Sequence, residues 1–316
     1  MSYAQFGTIE ATDFNSRAGG NPTTTSTTVN AVWATGGGQT GYGQTAISNV
    51  AVAQTVAATN WASLINSVNS ANAHQGASST GLTAPVAGGT VTFLSGLATA
   101  ITNINGNKGN AVAQGSTTSD VQTTTNSWTD YANFTFTTSF ADGDAARYFF
   151  NAGGQISFSV THGNTTAGIN AAMNTLAGQV GTIVISGQNA GSRSIAGTDY
   201  TGVTKIGGSG SVETLATTRG YFGLATGNTV IFDQNSGISP YTTTVQIYAN
   251  ARTNGTVGTN SDNGNIVTLH VIMDKISGNG TVGSGSTCTC VITPPSTGNI
   301  ANTWGTITLV GSNVAV

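Results

Sequence analysis

Charged side chains are scarce in this sequence. Asp, Glu, Lys and Arg make up 6% of its 316 residues, against roughly a quarter in an average soluble domain. Glycine, threonine, serine, asparagine and alanine take their place. Charge keeps the surfaces of soluble monomers apart, and a subunit that packs against copies of itself needs less of it. The composition therefore favours a structural protein that assembles, with an extracellular type of surface.

Other features that are missing exclude further classes of protein. With eight Lys and Arg residues and a net charge of −3, no basic patch is long enough to follow a nucleic-acid backbone. No run of about 18 apolar residues predicts a membrane-spanning helix. The opening ten residues have neither a basic nor an apolar signal region, so we expect no Sec signal peptide. Viral structural proteins, made in the host cytoplasm and released by lysis, combine such a surface with no secretory signal.

Only two cysteines occur, Cys288 and Cys290. Two residues apart on a strand, both thiols would point to the same face, a geometry poorly suited to a bond between them. Two thiols without a nearby histidine are also too few for a structural zinc site. Two interpretations stay open: small packed side chains, or an intersubunit disulfide formed after lysis.

The N-terminal third contains three degenerate copies of a strand–helix unit, at 7–15, 54–68 and 89–104. Each copy begins with an extended piece that carries one β-branched residue, namely Ile9, Val56 or Val91. In the first two copies Thr12 and Thr59 are predicted to cap the helix that follows. Apolar residues at helical spacing then define the later helices: Trp61, Leu64, Ile65 and Val68, and Leu94, Leu97, Ile101 and Ile104.

A Gly/Ser/Thr-rich stretch at 109–127 is predicted to be a linker between an N-terminal docking region, 1–108, and a C-terminal domain, 128–316. Beyond it the hydrophobic period changes to two, and Gly/Asn turns at 151–154 and 262–265 predict hairpins. One helix is expected at 167–177. The predicted strands are 131–138, 147–150, 155–161, 181–186, 229–233, 242–251, 266–273, 287–292 and 303–310. We therefore expect a mainly β protein: a β-sandwich, jelly-roll-like or immunoglobulin-like, preceded by a small α+β region of strand–helix repeats.

Several segments resemble virion structural proteins of tailed phages, closest to those of cyanophages and other marine phages. They are the repeat [Ile/Val]-x-Ala-Thr-[Asp/Asn]-[Phe/Trp], Gly-Tyr-Gly-Gln at 41–44, Asn-Ala-His-Gln-Gly at 72–76, and the segments 146–156 and 262–269. The resemblance touches both halves of the chain. It implies a tail, baseplate, neck or fibre component, and it carries over no catalytic residues and no cofactor.

Two acidic residues are the candidates for a metal site. Asp142 and Asp144 flank Gly143 in a predicted turn, where a compact loop could offer several oxygen ligands to Ca²⁺. The alternative is that aspartates at a turn accept hydrogen bonds from local backbone amides. The glycine-rich stretch at 36–44 is not followed by Gly-Lys-[Ser/Thr], so we do not predict a phosphate-binding loop there.

Aromatic residues are the candidates for contact with a glycan or another subunit: Tyr148, Tyr221, Phe222 and Tyr241. Tyr148 begins a run of three aromatics, and one of three must leave the core if the run is a strand. Exposed aromatics on a surface of low charge suit sugar stacking or subunit contacts. Core packing is the other interpretation.

Catalytic chemistry is not predicted. His74, His162 and His270 are far apart in sequence, and no Gly-x-Ser-x-Gly motif offers a nucleophile. We expect a homo-oligomer, a trimer, hexamer or larger, that contacts other virion proteins and is located in the virion. The alternatives are a receptor- or glycan-binding module at a fibre tip and a capsid-decorating protein.

Overall fold

The structure is a computed structural model that describes residues 11–19, 28–87, 91–189, 191–242, 244–258, 262–277 and 280–316. Four helices precede the strands: α1 (Ala11–Ala18), α2 (Val29–Trp33), α3 (Ala58–His74) and α4 (Leu94–Gly106). The apolar residues predicted to share a face of α3 are buried, and Trp61 contacts Phe14 and Phe93 edge-on with ring centroids 5.1 and 5.4 Å apart. The helical part of the repeats is thereby confirmed for α3 and α4.

The strand part of those repeats is wrong where the structure describes it. Val56 and Val91 lie outside any strand, and Ile9 lies outside the described residues. The predicted caps are wrong too, because Thr12 and Thr59 lie inside their helices. At α3 the side chain of Asn60 takes the capping role and accepts a hydrogen bond from the Ala57 amide at 2.9 Å. Asparagine in the first turn reaches back to the orphan amide, as in a capping box.

The strands form two main antiparallel sheets and a small hairpin. Their bounds are β1 Thr118–Thr123, β2 Tyr131–Ser139, β3 Gln155–His162, β4 Thr182–Ile185, β5 Arg193–Ile195, β6 Thr198–Tyr200, β7 Val203–Ile206, β8 Thr214–Leu215, β9 Thr229–Asn235, β10 Val245–Thr253, β11 Ile266–Lys275, β12 Ser286–Thr293 and β13 Thr308–Ala315. The five-stranded sheet has the order β1-β12-β3-β4-β7, the six-stranded sheet β13-β2-β11-β10-β9-β8, and β5 pairs with β6.

The two sheets pack face to face around a common apolar core, which confirms the mainly β fold class. Phe158 of β3 meets Phe232 of β9 across the interior, with ring centroids 6.2 Å apart. Helix α6 (Ile169–Val180) packs against β3 and β10 and buries Met173 and Leu176 in the same core. Because β1 pairs with β12 and β2 with β11, early strands pair with late ones as in a jelly roll.

Several segments differ from the sequence prediction. The turn at 151–154 joins a helix to a strand, and the strand predicted at 303–310 begins at Thr308. Residues 147–150, predicted as a strand, belong to helix α5 (Gly143–Asn151), because Asp142 caps that helix and Phe149 and Phe150 are buried on its core side. Tertiary packing overrides the β-propensity of an aromatic run. The stretch predicted as a linker contains β1, an edge strand whose six residues are in register with Thr287 to Ile292. The sandwich therefore begins by Thr118.

Candidate functional site

The glycine-rich segment at 35–44 is held by α5. Arg147 is 1% exposed and donates to the carbonyl oxygens of Thr35 and Thr40 at 2.7 and 2.9 Å. Asn151, one turn further along, donates to Thr40 at 2.9 Å and to Gly41 at 3.1 Å. The backbone carbonyls of this segment therefore point towards α5, and the segment joins the helical region to the sandwich.

The Gly-Tyr-Gly-Gln motif at 41–44 lies in the same junction. A side chain at Gly43 would overlap the ring of Tyr148, so glycine is required for this close approach. Tyr42 is buried, and burial raises its pKa to about 12. Its hydroxyl accepts a hydrogen bond from Gln75 at 2.8 Å. Gln44 exchanges two hydrogen bonds with the backbone of Ala301.

The two candidate calcium ligands have other partners. Asp142 is the N-cap residue of α5, and its side chain accepts a hydrogen bond from the Ala145 amide at 2.7 Å. Asp144 forms an ion pair with Arg147 at 3.0 Å. Within the described ranges, no group of three or more His, Cys, Asp or Glu side chains is placed to hold a metal ion. The interpretation as local backbone partners therefore explains Asp142, and Asp144 orients the buried arginine.

The four aromatic candidates do not gather on one exposed surface. Tyr221 and Phe222 are 1% and 7% exposed; Tyr221 stacks on Phe150 at 4.3 Å and donates from its hydroxyl to the Gly264 carbonyl. Burial raises the pKa of Tyr221. Tyr148 is half-buried beneath the Arg147 guanidinium, and Tyr241 is half-buried against the core. Core packing is the correct interpretation for Tyr221 and Phe222.

A buried hydrogen-bond chain joins His162, Ser286 and Asn170. Trp128 donates to the Ser286 hydroxyl at 3.3 Å, which lies 3.0 Å from Nδ1 of His162. Nε2 of His162 lies 3.2 Å from Oδ1 of Asn170, which also accepts from the Gly283 amide. These partners assign the neutral tautomer with its proton on Nε2. The order of groups is that of a nucleophile, a base and an orienting residue, but Ser286 is 0% exposed. It therefore presents no hydroxyl to a substrate.

The other two histidines lie elsewhere. His74, at the end of α3, is 1% exposed and hydrogen-bonds the carbonyl of Ala152 at 3.0 Å, not the carbonyls of its own helix. Burial lowers its pKa to about 4. His270 lies on the outer face of β11, 3.0 Å from the Thr135 hydroxyl. Among the described residues, each of the three imidazoles therefore has its own hydrogen-bond partners, and no two of them share a group.

Both cysteines are free thiols on the core side of β12 and are 0% exposed. Burial raises the pKa of Cys290 to about 12 and that of Cys288 as well. A thiolate is the reactive form of cysteine. Packed side chains are therefore the interpretation that agrees with the structure.

The outer face of the five-stranded sheet carries no charge. Apart from Gln155 at the start of β3, the outward positions of its five strands are serine, threonine, valine or isoleucine. Rows of hydroxyls run across the strands, and Thr123 and Thr287 hydrogen-bond at 2.9 Å. Val121 is 55% exposed and Ile206 39% exposed. The half-buried or exposed members of this neutral face are Ser119, Val121, Thr123, Ser157, Ser159, Thr161, Thr182, Thr204, Ile206, Thr287, Thr289 and Val291.

The outer face of the six-stranded sheet is different. It carries Asp233 and Asp274, whose pKa values are raised by burial and by neighbouring acids. Ile272 is 8% exposed on this face although it lies outside the main core. Its cross-strand neighbours are Asn133 and Tyr248. Arg252, in register with Thr268, lies on the same face. This face therefore carries charges of both signs, and it contrasts with the neutral face.

A concave polar pocket lies beside this second face, at the end of β9, and a second pocket lies between α3 and α4. Together with the neutral face, these features define a β-sandwich protein with two chemically distinct surfaces. No described helix is long and apolar enough to cross a membrane. Comparison with protein-family models, with curated proteins and with solved structures finds no match to this chain.

Proposed function

We propose that this chain is a structural subunit of a tailed-phage virion, a homo-oligomeric tail, baseplate, neck or fibre component. The observation that carries the proposal is the neutral face, whose outward strand positions include no charged side chain. Two copies of such a face can meet without desolvating a charge, which is the costly step in burying polar surfaces. The resemblance of segments in both halves of the chain to phage virion proteins supports the same function.

The position of ion pairing in the described part of the chain also supports this proposal. The ion pair between Arg147 and Asp144 lies on α5, at the junction of the helical region and the sandwich, and not on the neutral face. Exposed ion pairs contribute only about 0–1 kcal/mol each. Stability in a chain of this composition must come from hydrogen bonds between strands, burial of apolar side chains and contacts between subunits. Obligate interfaces between subunits are more apolar than transient ones.

The experiment tests the oligomer and the surface together. Val121→Lys places a charge on the neutral face, and Val86→Lys is the matched control because Val86 is 75% exposed in a connection outside the sandwich. Sedimentation velocity should show a trimer, hexamer or larger particle for the parent and for Val86→Lys, and a smaller species for Val121→Lys. A parent chain that stays monomeric at high concentration contradicts the proposal. An unchanged Val121→Lys oligomer contradicts the assignment of the neutral face.

The place in the particle needs a second measurement. Immunogold labelling of phage particles separates a tail or fibre component from a capsid-decorating protein. The glycan-binding alternative no longer rests on Tyr221, because a Tyr221→Ala variant would empty a core position. A different site supports that alternative and is developed below.

A further inference from the structure

A polar pocket of about 400 Å³ lies at one end of the sandwich. It is bounded by the last turn of α6, the segment before β8 and the connection that follows β9. Small-molecule sites occupy a range of about 300–1,000 Å³, so the pocket has room for a ligand of about one ring. The side chains that line it belong to Gln179, Ser211, Glu213, Asn235, Ser236 and Thr242.

The lining groups restrict the ligand to one chemical class. Among the described residues that line it are two amides, three hydroxyls and one carboxylate, with glycines at 210 and 237; none of these side chains is aromatic, aliphatic or cationic. An apolar ligand would cover polar groups without replacing their hydrogen bonds with water. An anion would meet Glu213 and, nearby, Asp233, whose pKa Glu213 helps to raise. The nearby Lys205 ammonium already donates to Ser209 and Gln234. An uncharged molecule rich in hydroxyls fits this chemistry.

Asn235 supplies an acceptor that lacks a donor. Its Oδ1 atom is buried and has no hydrogen-bond partner. The residue is held at the end of β9 opposite Gln246 of β10, whose own amide donates to Asp233. Buried polar atoms in native proteins are nearly always paired, so this acceptor is available to a hydroxyl donor once the Asn235 side chain turns into the pocket that it lines.

The floor of the pocket is fixed. Gln234, which points inward from β9, is 0% exposed and donates to the Ser209 carbonyl at 2.9 Å. It also accepts from Lys205 at 2.8 Å. Gly210, at φ +72°, passes so close that a Cβ there would lie 2.9 Å from the Gln234 amide nitrogen. The loop is therefore pinned beneath the cavity, and preorganisation of this kind lowers the cost of binding.

We propose that this pocket binds one residue of a neutral saccharide, with Asn235 Oδ1 and the Glu213 carboxylate accepting hydrogen bonds from sugar hydroxyls. The polar face beside it offers a path for further sugar residues. Tyr248, half-buried in β10, lies opposite Asp233 and one row from Asn235. An aromatic ring in that position on the sheet suits stacking on a second sugar ring of the ligand. The proposal does not depend on assembly, because every residue named belongs to one subunit.

The test uses the full-length protein and ligand-observed NMR by saturation transfer. The probes are glucose, galactose, mannose and N-acetylglucosamine, each at about 10 mM to detect dissociation constants near 1 mM, with maltotriose as an oligomer, glucuronate as an anion and spermidine as a cation. We expect at least one neutral sugar to bind, and maltotriose or another oligomer to bind no more weakly than its monomer. Glucuronate should bind about tenfold more weakly than the neutral sugar.

Two variants and one control distinguish a site from adventitious contact. Asn235→Leu should weaken neutral-sugar binding about tenfold because a hydrogen bond to the ligand is lost, whereas Asn103→Leu, in the pocket between α3 and α4, should leave it unchanged. Glu213→Gln should narrow the gap between the neutral sugar and glucuronate, a change that loss of folding would not produce. The proposal is overturned if spermidine is the only probe that binds, or if Asn235→Leu and Asn103→Leu have equal effects. It is also overturned if the folded parent protein, as judged by its melting temperature, gives no signal with any neutral sugar.

Discussion

Arg147 and Asn151 donate to the same carbonyl oxygen, that of Thr40, each at 2.9 Å. The two residues are one turn apart on α5, and the acceptor lies more than 100 positions earlier in the chain. A glycine-rich segment has few side chains of its own to bury. Its position against the sandwich is therefore set by hydrogen bonds from α5 to its backbone.

Replacing Arg147 should destabilise the junction. Arg147→Met removes the donors to the carbonyl oxygens of Thr35 and Thr40 from a side chain that is 1% exposed. We expect a loss of about 2–4 kcal/mol in the free energy of unfolding. Asp144 is 32% exposed, so Asp144→Asn should cost no more than about 1 kcal/mol. Urea unfolding measures both changes. Equal costs for the two variants would show that the ion pair, not the hydrogen bonds to the segment, holds the junction.

Two glycines should respond to alanine with opposite signs. A Cβ at Gly143, the first residue of α5, would overlap the backbone carbonyl of Asp262, whereas a Cβ at Gly178 in α6 meets nothing within 4 Å. We expect Gly143→Ala to cost about 1–3 kcal/mol. Gly178→Ala, at an exposed helical position, should stabilise the protein by about 0.5–1 kcal/mol. Thermal melts of the two variants beside the parent check the prediction, and a stabilised Gly143→Ala variant would contradict the packing of α5 on the 262–265 turn.

Alternation of apolar and polar residues predicts the regular strands well. In β2 every second residue is buried, and the expected span 131–138 is one residue short of the observed strand. The same reasoning fails at 147–150, because a run of three aromatics has no period and the cap at Asp142 decides for a helix. It also misses β1, whose exposed Thr/Ser/Gln sequence becomes a strand only through pairing with β12.

The candidate pocket lies beyond what the sequence can predict. Gln179, Glu213 and Asn235 come from three separate elements, and none belongs to a motif. Their convergence depends on how α6 and β9 pack on the common core. The burial of Tyr221 and Phe222 could not be predicted for a related reason: it depends on how the turn around Tyr221 folds inward and places its ring on Phe150.

Stability should fall in acid because of His74. Burial lowers the pKa of this imidazole to about 4, from about 6.5 when the chain is unfolded. Between these two pH values the unfolded chain binds more protons than the folded protein, so the stabilisation is complete above pH 6.5 and is lost as the pH falls towards 4. The shift corresponds to at most about 3 kcal/mol. His162, whose pKa is also lowered by burial, acts in the same direction.

A single variant isolates that contribution. His74→Gln keeps a donor for the Ala152 carbonyl and does not titrate. Its unfolding free energy, measured in urea at several pH values, should vary less than that of the parent between pH 6.5 and 4. A variant whose pH dependence equals that of the parent would show that folding does not lower the pKa of His74.

The last prediction concerns how the chain is held together with so few ions. If copies meet through the neutral face, folding is coupled to association, and the melting temperature should rise with protein concentration. Salt should matter little: from about 0.05 to 0.5 M the Debye length falls from roughly 14 to 4 Å, but the neutral face offers no charges to screen. Calorimetry over a hundredfold range of concentration and both salt conditions tests this. A melting temperature that is independent of protein concentration and falls sharply with salt would show that electrostatic interactions within the subunit stabilise the fold. The neutral face would then have no part in assembly.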